Sequence, residues 1–267
     1  MTLVLEDHDR QPGVLLLTLN RPERRNALSR ELLQDFDAAI GRAVIDPAVH
    51  CVVITGAGQR AFSAGADIHE QTAFTPEDAY AHMRWGQALF DRLERSPKPT
   101  IAAINGFALG GGLELALACD FRTASETAEL GLPEVTLASL PGWGGTQRLT
   151  RLIGPSAAKL IAMTGRRLGA ERCLQLGVVN AVYPAAEHIT RTLALAAEIA
   201  EHAAASLEAI KVVIDQGLDE SWADRLEGEA RAVARLWGTA AQKRAQEAFL
   251  ARRAANPGNR THDKLDR

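Results

Sequence analysis

Aromatic residues make up only 5% of this 267-residue chain, so any core must be built from Ala, Leu, Val and Ile. Cysteine is scarce too. Cys51, Cys119 and Cys173 are odd in number, far apart and set in apolar surroundings, which excludes a disulfide framework and leaves reduced core thiols as the expectation. Positive charge is not in excess: 30 Lys and Arg against 33 Asp and Glu give a net charge of -3, which argues against nucleic acid as a partner. No apolar run is long enough for a membrane span. The most apolar window, Ile101 to Cys119, is broken by Asn105, a glycine cluster and Glu114. Met1 to Asp7 lacks the basic start and apolar stretch of a signal peptide and the Arg/Ser character of a transit peptide, so a cytoplasmic location is expected.

What is present is an alternating pattern. Val14–Leu19, Cys51–Thr55, Thr100–Ile104, Phe121–Ala124 and Val178–Val182 are short apolar or β-branched runs, hence expected strands. Between them, Ser29 can cap a helix running to about Ile45, and Pro76 can open another that ends before Ser96-Pro97. The alternation is that of an α/β protein. Beyond about residue 185 the chain turns Ala-rich, with Glu, Arg and Lys at helical spacing and no strand signal. The expected organisation is an α/β core over residues 1–200 and a helical subdomain over 201–267.

Several short motifs do not withstand their context. Gly56-Ala57-Gly58-Gln59-Arg60-Ala61 follows a strand as a dinucleotide loop would, but Phe62-Ser63-Ala64-Gly65 interrupts where the phosphate-binding helix should begin. Ala61-Phe62-Ser63-Ala64-Gly65 lacks the first glycine of a nucleophile elbow. The histidines show no metal-ligand spacing, so no metal site is expected, and no glycine run is followed by Gly-Lys-Ser/Thr.

Three segments carry chemistry together. Ala61 to Ile68 and Asn105 to Glu114 are rich in small residues that let backbone approach a ligand, and Leu132-Pro133-Glu134 leads to a third glycine-rich stretch, Gly142-Trp143-Gly144-Gly145. Glu114 begins an almost wholly apolar stretch and is expected near the start of a buried helix. A buried carboxylate needs partners or a raised pKa, because an isolated buried charge is very costly. Taken singly, Glu114 and Glu134 could each be ordinary acids at a helix start. Beside glycine-rich backbone, the pair suggests acid and base work on a bound substrate.

These motifs, continued by Gly144-Gly145-Thr146-Gln147-Arg148-Leu149, resemble those of the crotonase (enoyl-CoA hydratase/isomerase) superfamily, in the family's order and over most of residues 13 to 255. The resemblance implies a spiral of repeated ββα units with a C-terminal helical subdomain for trimerisation, and a homotrimer or a homohexamer made of two trimers. It implies an acyl-CoA thioester as substrate, with CoA as part of that substrate and no separate cofactor. It further implies that the N–H groups of Ala66 and Gly111 form an oxyanion hole, that Glu114 and Glu134 are the catalytic carboxylates of a hydratase, and that Gly142 anchors the water between them. CoA contacts are implied for Arg24, Ala27, Leu28, Ala64, Asp67 and Ile68, with Asn26 in the same run, and for Phe249 and Arg252 near the C-terminus. Two N–H donors aimed at a thioester oxygen suit the chemistry, since removing one such donor typically lowers rate about 10²–10³-fold.

Trp143 departs from the pattern by standing where hydratases often carry a small residue, and its bulk bears on the acyl pocket. The resulting expectation is an enoyl-CoA hydratase acting reversibly on a trans-2-enoyl-CoA. The rivals are another reaction of the same site (isomerisation, specialised dehydration or decarboxylation) and a non-catalytic RNA-binding or scaffold protein of the same fold.

Overall fold

The computed structural model describes residues 2–217 and 220–255. Two compact units divide at Ala204/Ala205. The first holds β1 (Val4–Gln11), β2 (Val14–Leu19), α1 (Arg30–Ile45), β3 (Cys51–Gly56), β4 (Ala61–Ser63), α2 (Pro76–Glu94), β5 (Thr100–Ile104), β6 (Phe107–Leu109), α3 (Gly111–Leu117), β7 (Phe121–Ser125), β8 (Glu129–Gly131), α4 (Gly145–Ile153), α5 (Pro155–Thr164), β9 (Arg167–Gly169), α6 (Ala170–Leu176), β10 (Ala181–Tyr183) and α7 (His188–Ala200). The second is helical, with α8 (Ala204–Gly217) at the boundary followed by α9 (Trp222–Leu236) and α10 (Ala240–Ala255). Among the described residues no helix is long and apolar enough to cross a membrane.

Consecutive strands of the first unit divide between two sheets. The larger has the order β1-β2-β3-β5-β7-β10, parallel except for β1; the smaller has the order β4-β6-β8-β9, parallel except for β9. Each of the pairs β3/β4, β5/β6 and β7/β8 therefore gives a long strand to one sheet and a short strand to the other. Repetition of that step, with helices between, produces the α/β spiral of ββα units. Asn105 locks two successive turns: its side-chain amide donates to the carbonyls of Gly56 and Gly58, both at 2.8 Å, and its oxygen accepts from Gly56 N–H at 3.2 Å.

The central strands form because their residues are apolar on both sides and can be buried on both. Residues Cys51 to Gly56 and Thr100 to Ile104 are buried throughout. One face meets Phe36, Phe90 and Leu113 of α1, α2 and α3; the other meets Leu193, Ala196 and Ala200 of α7. Ser29 caps α1 by accepting from Leu32 N–H, and Thr75 with Asp78 forms a reciprocal capping box at α2. One expectation needs correction. The last strand spans Ala181–Tyr183 instead of Val178–Val182, because Val178 N–H is taken by the Cys173 carbonyl in the turn that ends α6. Glu114 lies, as expected, in the first turn of a buried helix, which starts at Gly111.

Candidate active site

The small sheet positions the site. Strands β4, β6 and β8 are adjacent and parallel, so their C-terminal ends lie side by side, and each is only three residues long. Leaving β4 the chain reaches Ala66; leaving β6 it reaches Gly111 and Glu114; leaving β8 it reaches Glu134. Three segments far apart in sequence are thus delivered to one sheet edge, the usual place for a ligand in parallel α/β structures.

Ala66 forms a parallel bridge with Leu28, made by Leu28 N–H to Gly65 O (2.8 Å) and Asp67 N–H to Leu28 O (3.2 Å). The neighbours supply both bonds, so the N–H of Ala66 itself points away from Leu28. Gly111 opens α3, where the first N–H groups have no intrahelical acceptor. The two segments touch: a Cβ built on Gly111 would lie 3.3 Å from Ala66 N, and one built on Gly65 would lie 3.3 Å from Gly111 N. Two backbone donors, unspent among the described residues, stand next to each other.

Glu114 is 2% exposed. Its Oε1 accepts from Trp143 N–H at 2.8 Å and Gly145 N–H at 2.7 Å, so the carboxyl caps the N-terminus of α4. Among the described residues Oε2 accepts no hydrogen bond, and it remains for chemistry. Burial pushes this carboxyl up to about 7; the N–H of Gly145 opposes that rise and nearby Glu134 adds to it. Glu134 sits in a 3-10 turn, Pro133–Leu137, and its Oε2 is buried with no hydrogen-bond partner among the described residues. Burial raises its pKa as well. Gly110 makes room for it. Its φ is +53°, and a Cβ there would stand 2.9 Å from Glu134 Oε1.

The loop that holds Glu114 is pinned from outside. Gln87 Nε2 donates to the Gly142 carbonyl at 2.8 Å, and Arg148 Nη1 donates to the Trp143 carbonyl at 3.0 Å. Arg148 Nη2 pairs in turn with Asp91 and Glu94, each at 2.7 Å. The indole of Trp143 is buried against Gly111, Gly86, Phe90 and His82.

The residues assigned to CoA fall into separate places. Ala27, Leu28, Ala64, Asp67 and Ile68 cluster around the Leu28–Ala66 bridge, with Ile68 exposed, the Leu28 side chain buried and both Leu28 backbone groups engaged in the bridge. Asp67 is engaged: Oδ2 pairs with Arg21 at 3.0 Å and Oδ1 caps the turn at His69. The Asn26 side chain is buried and fully used in holding the loop, accepting from Arg21 N–H and donating to Ala57 and Ala61 carbonyls. Arg24 is exposed. Phe249 and Arg252 lie exposed on α10 of the second unit. Arg21, Gly110 and Arg148 also build the site and were not assigned to it above, although Gly110 and Arg148 lie within the quoted motifs.

Comparison with known proteins agrees with this geometry. Residues 9–259 match the Enoyl-CoA hydratase/isomerase family. The chain is 38% identical to a short-chain-enoyl-CoA hydratase of Clostridium acetobutylicum, over 92% of this chain and 94% of that protein. It is 37% identical to a crotonyl-CoA hydratase of Syntrophomonas wolfei, over 93% and 95% of the two chains. The crystal structure of an enoyl-CoA hydratase from Bacillus anthracis superposes with a TM-score of 0.90 at 36% identity, covering 94% and 96% of the two chains. Two carboxyls and two free backbone donors gathered at one sheet edge, together with these likenesses over nearly the whole chain, place the protein in the enoyl-CoA hydratase/isomerase family.

Proposed function

We infer that the chain is an enoyl-CoA hydratase, adding water reversibly to a trans-2-enoyl-CoA to give the 3-hydroxyacyl-CoA. The observation that carries the reading is the meeting of Glu114 and Glu134 beside the unspent N–H groups of Ala66 and Gly111. In this mechanism the thioester oxygen lies between those two N–H groups, which stabilise the negative charge that builds there as oxygen adds to C3. One water sits between the carboxyls, with Gly142 N–H as a further anchor. Glu114, anionic, takes a proton from the water while its oxygen bonds to C3. Glu134, whose carboxyl burial shifts towards the protonated form, gives its proton to C2. Hydroxyl and proton together make up one water, and the pair exchanges one proton between its members. No electrons are transferred, so the reaction calls for no redox cofactor, and backbone donors supply the polarisation a metal would otherwise give.

The CoA portion is assigned to the flank of Ala66 that carries Ala27, Leu28, Ala64, Asp67 and Ile68, with Arg24 towards phosphate, and Phe249 and Arg252 are assigned to the CoA of a neighbouring subunit. A homotrimer or a homohexamer is proposed for the assembly. It is supported by exposed apolar side chains on the first unit, among them Leu140 and Met163, which line an apolar depression of about 270 Å³, and Leu137 and Leu160 nearby in sequence. A cytoplasmic location is likewise proposed. The decisive test is loss of enoyl-thioester absorbance when crotonyl-CoA is added to the wild-type protein, with Glu134→Gln as control. Rapid loss that depends on Glu134 supports hydration; binding of the thioester without any loss would refute it.

A further inference from the structure

Trp143 is 2% exposed, and its place is fixed relative to the carboxyl of Glu114 through its own N–H. Its indole spans the gap between two helices. At one edge lies α3: a Cβ on Gly111 would stand 2.6 Å from Cζ3. At the other lies α2, where a Cβ on Gly86 would run into Nε1 and Cδ1. Phe90 meets the ring edge-on, with centroids 5.6 Å apart and planes at 82°, and His82 packs at 5.4 Å. Gly86 therefore acts as a socket for the indole. The indole Nε1 has no hydrogen-bond partner among the described residues, so the ring acts through its bulk.

The ring packs under one flank of the site, against the first residue of α3. Ala66 has Leu28 on one side and Gly111 on the other. The Leu28 side is the one assigned above to CoA, and the indole stands on the Gly111 side, which that assignment leaves to the acyl group. Resting on the hydratase reading, we propose that Trp143, seated in the socket at Gly86, is the floor of the acyl pocket and restricts the enzyme to short enoyl-CoA thioesters of about four to six acyl carbons. Overpacking a site by a few methylenes typically costs enough to lower kcat/KM by ten-fold or more.

The test compares kcat/KM for crotonyl-, hexenoyl-, octenoyl- and decenoyl-CoA. The wild-type enzyme is expected to fall at least about ten-fold from crotonyl- to octenoyl-CoA. Trp143→Ala should raise the octenoyl-to-crotonyl ratio by a similar factor, whereas Trp143→Phe, which keeps most of the bulk and loses the N–H, should retain the wild-type preference. Gly86→Ala should lower crotonyl-CoA turnover, and adding Trp143→Ala to it should restore part of the loss. A flat chain-length profile in an active wild-type enzyme overturns the proposal and leaves the hydratase reading intact. So does an unchanged ratio in Trp143→Ala or, should that variant not fold, in Trp143→Leu. Inactivity of the wild-type enzyme on every enoyl thioester takes both down.

Discussion

Replacing Glu114 by glutamine should stabilise the protein at alkaline pH and not at acidic pH. The carboxyl is 2% exposed, and burial raises it from 4.5 to about 7. A carboxyl that holds its proton more tightly when folded contributes fully below pH 4.5, and that contribution is lost as pH rises towards 7 and beyond. At about 1.4 kcal/mol per pH unit, the folded state loses about 3 kcal/mol relative to acid conditions once the group has ionised. Glutamine keeps an oxygen for the N–H groups of Trp143 and Gly145 and carries no charge, so it avoids this loss. The assay is urea denaturation of the parent and Glu114→Gln at pH 5 and pH 8. The variant should exceed the parent by about 1–3 kcal/mol at pH 8, with the gap nearly closed at pH 5. A gap that is equal at both pH values, or larger at pH 5, would refute the claim that an ionised Glu114 is held in the fold at a cost.

Further outcomes follow from the same geometry. In the wild-type enzyme kcat/KM for crotonyl-CoA should rise with pH through about 7, as Glu114 gives up the proton that disables it as a base, and a profile flat from pH 5.5 to 8 would contradict this. Gly110→Ala forces a side chain onto φ +53° and within 2.9 Å of Glu134 Oε1. It should lower kcat about 10²-fold, read by steady-state kinetics, while thioester binding survives. Asn26→Ala deletes three hydrogen bonds of a buried side chain and should lower unfolding free energy by about 2–4 kcal/mol, against near neutrality if the side chain were free to serve substrate.

The α/β class and the long strands were legible because their residues are buried on both faces: Cys51–Gly56 and Thr100–Ile104 are continuous apolar runs that only a covered sheet can accommodate. Strand β1 was not legible. It is a polar edge strand, exposed over most of its length, and lacks the apolar pattern that reveals its neighbours. The three-residue strands β4, β6 and β8 are too short to show any period, yet they bring Ala66, Gly111 and Glu134 together. Val178 and Val179 mimic a strand because they are apolar and β-branched, but they are buried in a turn. Within the site, glycine clustering and two carboxyls marked the right segments. The bonds from Trp143 and Gly145 to Glu114 join positions about thirty apart, and nothing local foretells them. The Arg148 pairing with α2 is equally non-local, as is the glycine in that helix which receives the indole.

The most direct measurement is turnover of crotonyl-CoA by Glu114→Gln, Glu134→Gln and the double variant, with thioester affinity measured alongside. If the two carboxyls act on one water, each single change lowers kcat by about 10²–10⁴-fold, and the double variant is scarcely worse than the poorer single one. Near-full activity in either single variant, or losses that simply multiply in the double, would contradict a shared water held between Glu114 and Glu134.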